Sequence, residues 1–121
     1  MTIRLTRLTT RGEFLRVAGA RVRAVRPGLV LQAAPRQPDE GKAPLRVGYT
    51  ASKRVGNAVA RNRAKRRLRA AAASVLAARG KPGTDYVLIA RGETGARRYA
   101  ELLADLEGAL RQLARPRRGE A

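Results

Sequence analysis

A basic stretch from Lys53 to Arg69 is the feature that most constrains what this chain can fold into. The stretch holds eight of the chain's 27 Lys and Arg residues and contains no Asp or Glu. If it forms a helix from about Asn57, small apolar side chains fall on one stripe and basic side chains fall opposite, because successive helical residues are rotated by about 100°. The apolar stripe consists of Ala60, Ala64, Leu68, Ala71 and Val75, which are small enough for close packing on a sheet.

The charge of this stretch indicates a polyanionic partner. A solvated basic face is the simpler interpretation, but solvated helices usually interleave both signs of charge, and like charges on one helix repel. Here the acid-free run extends from Gly41 to Thr84, and the whole chain has a formal net charge of +18 and a pI of about 11.9. These values are typical of nucleic-acid-binding proteins, so nucleic acid is the favoured partner.

The segments before the basic stretch predict one helix followed by three strands. Thr9 or Thr10 can cap the helix, with Glu13 at the capping-box position. Residues 20–26 alternate apolar and basic side chains, and a turn signal separates them from an apolar run at 29–34, so the two runs predict a hairpin. A third strand is predicted at 45–51. We expect residues 1–9 to be irregular and flexible, and residues 35–44, with three prolines, to form a mobile loop.

The segments after the basic stretch complete a single α+β domain in the order αβββαβα. The basic helix continues through about Ala78 and is stopped by Gly80 and the residues after it. A fourth strand is predicted at 85–91, and leucines at helical spacing predict a final amphipathic helix at 96–114. These elements predict a four-stranded sheet with helices packed on it as a sandwich. We expect one domain over 1–121, with a flexible basic tail at 115–121.

The composition argues against an enzyme that works with protein side chains alone. The chain has no Cys, which excludes disulfides and thiolate metal sites, and no His, which removes the commonest general base. Its nine acidic residues are dispersed or lie on the final helix, with no carboxylate pair beside the basic stretch. No apolar run approaches the roughly 20 residues of a membrane span, and the N-terminus lacks the apolar region of a signal peptide. We therefore expect an intracellular binding protein.

Three ordered motifs carry a resemblance to a known family. They are Leu45-Arg46-Val47-Gly48, the run from Ser52 to Val59, and Arg61-Asn62-Arg63. Together they resemble the protein subunit of bacterial ribonuclease P, which is marked by an R-N-R motif on a helix after an L-R-V-G-type strand. The resemblance implies a left-handed βαβ crossover around the basic helix. It also implies a cytoplasmic bacterial protein that assists a catalytic RNA, with one protein per RNA and neither membrane nor DNA as a partner. The reaction is Mg²⁺-dependent removal of the 5′ leader of precursor tRNA.

The resemblance also assigns roles to particular positions. The basic face, which would contact RNA, consists of Lys53, Arg54, Asn57, Arg61, Asn62, Arg63, Lys65, Arg66 and Arg69. The leader cleft, which would take the single-stranded leader, consists of Phe14, Val30, Gln32, Thr50 and Ser52. The resemblance assigns no catalytic side chain, because the RNA performs the hydrolysis with Mg²⁺ held mainly by RNA and substrate. Asn62 is a candidate to hold water on a hydrated metal ion.

Three positions depart from the family pattern. Ala18 and Gln32 stand where the family usually has aromatic residues, so we expect weaker stacking on leader bases. Ala64 stands where a larger aliphatic residue is usual, which allows closer packing but buries less apolar area. Phe14, the only Phe of the chain, has core packing as an alternative to stacking on a nucleotide.

Two other functional classes remain as alternatives. A ribosomal protein is the first, because small basic α+β domains with Arg-rich tails are common among them. It would bind ribosomal RNA and give no help to tRNA processing. A DNA-binding architectural protein is the second, but it needs a dimer seam or a helix with spaced base-reading side chains. The basic stretch is too uniformly charged for that role.

Overall fold

The computed structural model describes residues 4–35 and 45–114, in which five strands and three helices form one layered unit. The strands are β1 Leu5–Arg7, β2 Val22–Arg26, β3 Leu29–Pro35, β4 Leu45–Thr50 and β5 Thr84–Ala90. The helices are α1 Arg11–Gly19, α2 Ala58–Arg79 and α3 Tyr99–Ala114, with a short 3₁₀ helix at Lys53–Val55. The α+β class is confirmed.

The strands form one mixed sheet in the order β1-β4-β5-β3-β2. The predicted hairpin is confirmed, because β2 pairs antiparallel with β3. Strand β3 in turn pairs antiparallel with β5. Strands β4 and β5 are adjacent and parallel, so α2 connects them as a βαβ unit. The left-handed sense of this crossover stays a prediction.

The prediction of four strands is wrong, because residues 5–7 form an additional strand. β1 pairs in parallel with β4, with Leu5 opposite Leu45 and Arg7 opposite Val47. The hydroxyl of Thr6 also donates to the carbonyl of Leu45 at 3.2 Å. Three residues are too few to show an alternating pattern, and backbone pairing with a distant strand holds this segment, so the local sequence gave no sign of it.

Helices cover both faces of the sheet. On one face, α2 and α3 pack against a core that contains Leu31, Leu68, Leu88 and Leu106, all fully buried. On the other face, α1 covers a smaller cluster around the fully buried Val17. Because side chains alternate along a strand, β3 and β5 each supply residues to both clusters. The described residues therefore form three layers, and α1 is the one helix among them on the second face of the sheet.

Element boundaries follow the sequence prediction within a few residues. Thr10 caps α1, and its reciprocal hydrogen bonds with Glu13 form the predicted capping box. Helix α2 begins after Asn57 and ends at Arg79, before the predicted stop at Gly80. Helix α3 begins at Tyr99 rather than at residue 96, because residues 92–97 form turns. Pro35 belongs to β3, while residues 36–44 and 115–121, predicted to be mobile, lie outside the described residues, as do residues 1–3.

Candidate nucleic-acid interface

The basic face lies on the 3₁₀ helix and the first turns of α2. Gly56 separates the two helices with a φ of 142°, a conformation that favours glycine. Asn57 then caps α2, because its side-chain oxygen accepts a hydrogen bond from the N–H of Ala60 at 2.9 Å. This cap uses the oxygen of a side chain that the resemblance assigns to RNA. Asn57 therefore has a structural role in addition to the expected one.

Burial separates the two sides of α2 as the periodicity predicts. Ala64, Leu68 and Ala71 are fully buried against the sheet. Of the basic face, Lys53, Arg54, Asn57, Asn62, Arg63, Arg66 and Arg69 are exposed, while Arg61 and Lys65 are half-buried. The exposed groups are free to meet a polyanion, and the buried stripe holds the helix in place beneath them. Their contact with RNA stays a prediction.

The two arginines of the R-N-R motif differ in their surroundings. Arg61 is half-buried, and its Nε is buried without a hydrogen-bond partner among the described residues. Arg63 is exposed and borders a hollow beside residues 92–96. Asn62, between them, is exposed. Substitution of Arg61 therefore affects packing as well as surface charge, whereas substitution of Arg63 chiefly affects the surface.

Tyr49 of β4 supports the far end of the basic face. The guanidinium carbon of Arg69 lies 5.7 Å from the centroid of the Tyr49 ring, within the range of a cation–π contact. Burial raises the pKa of the Tyr49 hydroxyl, while the charges of Arg69 and Arg7 oppose that rise. Arg7 of β1 therefore lies close enough to add positive charge to this end of the basic face. Arg7 was not predicted as part of this surface, because the three residues of β1 are too few to show a strand pattern.

Arg67 lies within the basic stretch but is used for packing. Its Nε donates to the carbonyl of Thr94 at 3.0 Å, and its Nη2 donates to the carbonyl of Arg97. The side chain is half-buried and holds residues 92–98 against α2. It is the one cation of the run 61–69 that the resemblance left unassigned, and these contacts give it a structural role.

The leader cleft residues come together on the sheet face that α1 covers. Strand register places Thr50, Ile89, Val30 and Val25 in one row across β4, β5, β3 and β2. Gln32 lies in the neighbouring row, opposite Val87. Ile89 and Val25 were not predicted as cleft residues, because their place beside Val30 depends on strand order. An alternating strand pattern alone does not reveal which strands are neighbours.

The carboxyl end of β4 joins the leader cleft to the basic face. Thr50 is half-buried and ends β4, and Ser52 is exposed and precedes the 3₁₀ helix. Lys53, the first residue of that helix, belongs to the basic face. The leader cleft and the basic face are therefore only a few protein residues apart, and an RNA strand in the cleft would lie next to the basic face.

Phe14 packs partly into the protein, which bears on its two alternative roles. Its ring is half-buried and lies over Gly48, where an added Cβ would come within 2.4 Å of Phe14 Cε1. Core packing therefore accounts for part of the Phe14 side chain. Stacking of the exposed remainder on a base stays a prediction.

Substitution Gly48→Ala is expected to lower the free energy of unfolding by about 1–3 kcal/mol. The new methyl group would overlap the Phe14 ring, whose Cζ would lie 2.6 Å away, so the ring or α1 must shift. Urea unfolding followed by circular dichroism measures the effect. Gly12→Ala is a matched control, because a Cβ there meets nothing within 4 Å. Equal stability of the two variants would contradict close packing of Phe14 on the sheet.

A charged network anchors α1 to the sheet. Asp85 of β5 is fully buried. Arg46 of β4 donates two hydrogen bonds to its carboxylate, from Nε to Oδ1 at 3.0 Å and from Nη2 to Oδ2 at 2.6 Å. Arg16 of α1 also donates to Asp85 Oδ2. Nη1 of Arg46 donates to Glu13 of α1 at 2.8 Å. Two residues of α1 are thus bonded to two central strands through this network.

The pKa of the Glu13 carboxyl is lowered from its ordinary value of 4.5, chiefly because the backbone N–H groups of Thr10 and Thr9 donate to it. A carboxyl whose pKa is lowered by folding stabilises the folded state above its ordinary pKa, and this contribution is lost as the pH falls through the folded value. We therefore expect the wild-type protein to lose more stability than Glu13→Gln between about pH 5 and pH 3. Glutamine keeps a capping-box side chain but does not titrate.

Urea unfolding midpoints of both proteins across this pH range give the measurement. The two proteins differ only at residue 13, so the difference between the two curves reports the loss of the Glu13 charge, including its ion pair with Arg46. Parallel curves would contradict the role of its charge.

The described residues provide no built metal site. Within 4–35 and 45–114, no group of three or more His, Cys, Asp or Glu side chains is placed to hold a metal ion. The carboxylates of Asp85 and Asp105 are instead engaged by arginines. In the same segments, no helix is both long and apolar enough to cross a membrane.

A comparison with protein families decides the affiliation of the chain. A family model described as Ribonuclease P matches residues 3–114. The chain belongs to the ribonuclease P protein family. The ribonuclease P protein component of Paramagnetospirillum magneticum is 53% identical over 114 residues, which cover 93% of this chain and 86% of the relative. That of Ruegeria pomeroyi is 51% identical over 111 residues, which cover 91% of this chain and 87% of the relative.

Solved structures of ribonuclease P proteins share the fold. The protein from Staphylococcus aureus superposes with a TM-score of 0.71 at 22% identity, covering 89% of this chain and 94% of that one. The protein from Thermotoga maritima also gives 0.71, at 23% identity, covering 88% and 96%. At such identities the likeness bears on the fold alone. As a ribonuclease P protein, the chain is part of an endoribonuclease ribonucleoprotein that processes tRNA, with RNA as its partner.

Proposed function

We propose that this chain binds the catalytic RNA of ribonuclease P through the basic face, in a complex of one protein per RNA in the bacterial cytoplasm. The observation that carries the proposal is the acid-free basic face itself. Seven of its nine side chains are exposed, and the helix beneath them is fixed by its buried stripe. Folding therefore already orders the backbone that carries these charges, so less conformational entropy is lost when RNA binds.

The side chains of the basic face supply two kinds of contact. Arginine and lysine neutralise phosphates, and the planar guanidinium of Arg54, Arg63, Arg66 or Arg69 can also form paired hydrogen bonds or stack on a base. Asn62 offers both a donor and an acceptor at the exposed centre of the R-N-R motif. It is suited to hold a water molecule that belongs to a hydrated metal ion.

The leader cleft would take the 5′ leader of precursor tRNA. Its floor is the row Thr50, Ile89 and Val30, which is mostly apolar and lies next to the half-buried Phe14. Apolar and aromatic surface accepts bases of any sequence, because every base has a flat face. Gln32 in place of an aromatic residue reduces this stacking surface. We therefore expect the cleft to favour a single strand without a strict sequence preference.

The hydrolytic step would belong to the RNA. Mg²⁺, when bound, activates water and stabilises the charge that develops on the cleaved phosphate. The described carboxylates form no cluster that could hold the ion. Its direct ligands would therefore come from the RNA and the substrate, and this chain would act by binding and orienting them.

The test is cleavage of precursor tRNA by the cognate catalytic RNA at low Mg²⁺, with and without this protein. A basic protein of equal net charge is the control for charge alone. We expect this chain to restore cleavage at the correct 5′ position and the control to fail. Equal stimulation by both proteins would contradict specific recognition.

A second comparison tests the leader cleft. We expect the protein to bind precursor tRNA with a leader of several nucleotides more tightly than mature tRNA in the presence of the catalytic RNA. Phe14→Ala should reduce that difference and leave binding of mature tRNA unchanged. If the variant weakened both substrates equally, Phe14 would have only a structural role.

A further inference from the structure

A hollow lies on one flank of α2, between its first turns and residues 92–96. It has a volume of about 270 Å³ and is lined by Val55, Ala60, Arg63, Gly92, Gly95 and Ala96. This volume is just below the range of sites for drug-sized ligands, so it suits one flat ring system rather than a larger molecule. Neither the basic face nor the leader cleft, as defined above, accounts for the apolar lining.

The wall of the hollow formed by residues 92–96 is held rigidly. Thr94 is fully buried, and its hydroxyl donates to the carbonyl of Gly28 at 2.7 Å and accepts from the N–H of Arg91 at 2.7 Å. Arg67 of α2 binds the carbonyls of Thr94 and Arg97. The wall is therefore tied to the helix that carries Arg63, one turn away. A preformed cavity of this kind loses little entropy when it takes a ligand.

The chemistry of this flank differs from that of the rest of the basic face. Val59 is 76% exposed, and it precedes Arg63 by one helical turn, so the two side chains share a face of α2. The hollow adds apolar surface from Val55, Ala60 and Ala96. Phosphates gain nothing from apolar contact, whereas nucleobases bury their flat faces on it. The combination of apolar floor and flanking guanidinium therefore matches a base rather than a phosphate.

We propose that this hollow binds one unstacked nucleobase of the catalytic RNA, with Arg63 stacked on the base or bonded to its edge. The proposal rests on the function proposed above. The catalytic RNA is the chosen source because the hollow shares α2 with the basic face, so an RNA whose phosphates lie along that face can turn a base into it. Precursor tRNA is the alternative source of the base, and the experiment below distinguishes the two RNAs.

The two glycines allow the hollow to be filled without damage to the fold. An added Cβ at Gly92 or Gly95 meets nothing within 4 Å, and neither glycine has the positive φ that would strain a larger residue. Gly95→Val is the principal variant, and Ala96→Leu fills the hollow from an exposed neighbouring position. Gly19→Val is the matched control, because Gly19 is equally open and lies at the end of α1.

The experiment measures binding of the full chain to the catalytic RNA alone over a range of salt concentrations. Loss of one base contact is expected to weaken binding about tenfold. The log–log slope against salt should stay that of the wild type, because no phosphate contact is lost. Dimethyl sulfate probing should show one base that the wild-type protein protects and the filled variants leave reactive. Thermal unfolding should be unchanged.

The outcomes separate this proposal from the proposed function. If the wild-type chain fails to bind the catalytic RNA, the proposed function fails. If the wild type binds the catalytic RNA and both filled variants bind it as tightly as the wild type, only the base site is overturned. If the filled variants bind more weakly and their log–log slope against salt is also less negative than that of the wild type, the lost contact is a phosphate contact. That result would also overturn the base site. A loss confined to precursor tRNA would overturn the assignment to the catalytic RNA. Should Gly95→Val unfold, Ala96→Leu decides.

Discussion

Simultaneous substitution of Arg54, Arg66 and Arg69 by glutamine is expected to weaken binding of the catalytic RNA by about a thousandfold. Hydrogen bonds to charged groups contribute about 1.5–3 kcal/mol each, and the lower value applies to exposed side chains. All three residues are exposed on the basic face. Glutamine has good helix propensity and similar length, so the two substitutions in α2 should leave that helix intact.

The salt dependence of binding distinguishes phosphate contacts from other losses. Each neutralised phosphate contributes about −0.7 to −0.9 to the log–log slope, so the triple variant should have a slope less negative by about 2–3. Filter binding at several salt concentrations gives both numbers. The steep slope of the wild-type protein is itself an expected result. A flat profile would contradict binding through phosphates.

A matched control separates the basic face from total charge. Arg23, Arg98 and Arg111 are exposed and lie on β2, before α3 and in its last turn. Their replacement by glutamine removes the same three charges from outside the basic face. We expect this control to weaken binding by less than about tenfold, through the general field of the protein. Equal losses in the two triple variants would mean that position on the basic face does not matter.

Asp85→Ala is expected to lower the free energy of unfolding by about 3 kcal/mol. The carboxylate is fully buried and is the shared acceptor of Arg16 and Arg46. Its removal takes one buried charged acceptor away from both guanidinium groups. Buried pairs that lose one member cost about 3–5 kcal/mol, and the lower value applies because both arginines are partly exposed and can regain water.

Glu107→Ala provides the contrast for this prediction. Glu107 faces Arg79 at 3.9 Å on the surface, where an ion pair contributes less than about 1 kcal/mol. Both variants remove one carboxylate, so the change in net charge is identical. Urea unfolding with a two-state fit gives both free energies. If Asp85→Ala cost no more than Glu107→Ala, the network would not hold α1 on the sheet.

Local features of the sequence predicted the parts of the structure that depend on neighbouring residues. The capping box of Thr10 and Glu13, the hairpin at Pro27 and the two sides of α2 all follow from spacings of one to four residues. Strand β1 was missed because it has no pattern of its own and is held by pairing with β4. The buried network was missed for a similar reason, because Asp85 lies 39 residues from Arg46 and 69 residues from Arg16.

The sequence by itself determined the basic helix and its two opposed sides, because burial and charge both repeat with the helical period. Only the tertiary structure decided which arginines remain available to RNA. Arg16 and Arg46 are bonded to Asp85, and Arg67 is bonded to the carbonyls of residues 94 and 97, whereas Arg66 and Arg69 are exposed. The sequence alone does not show which hydrogen-bond acceptors an arginine will meet. The role of each guanidinium is set by the acceptors that distant segments bring within hydrogen-bond distance.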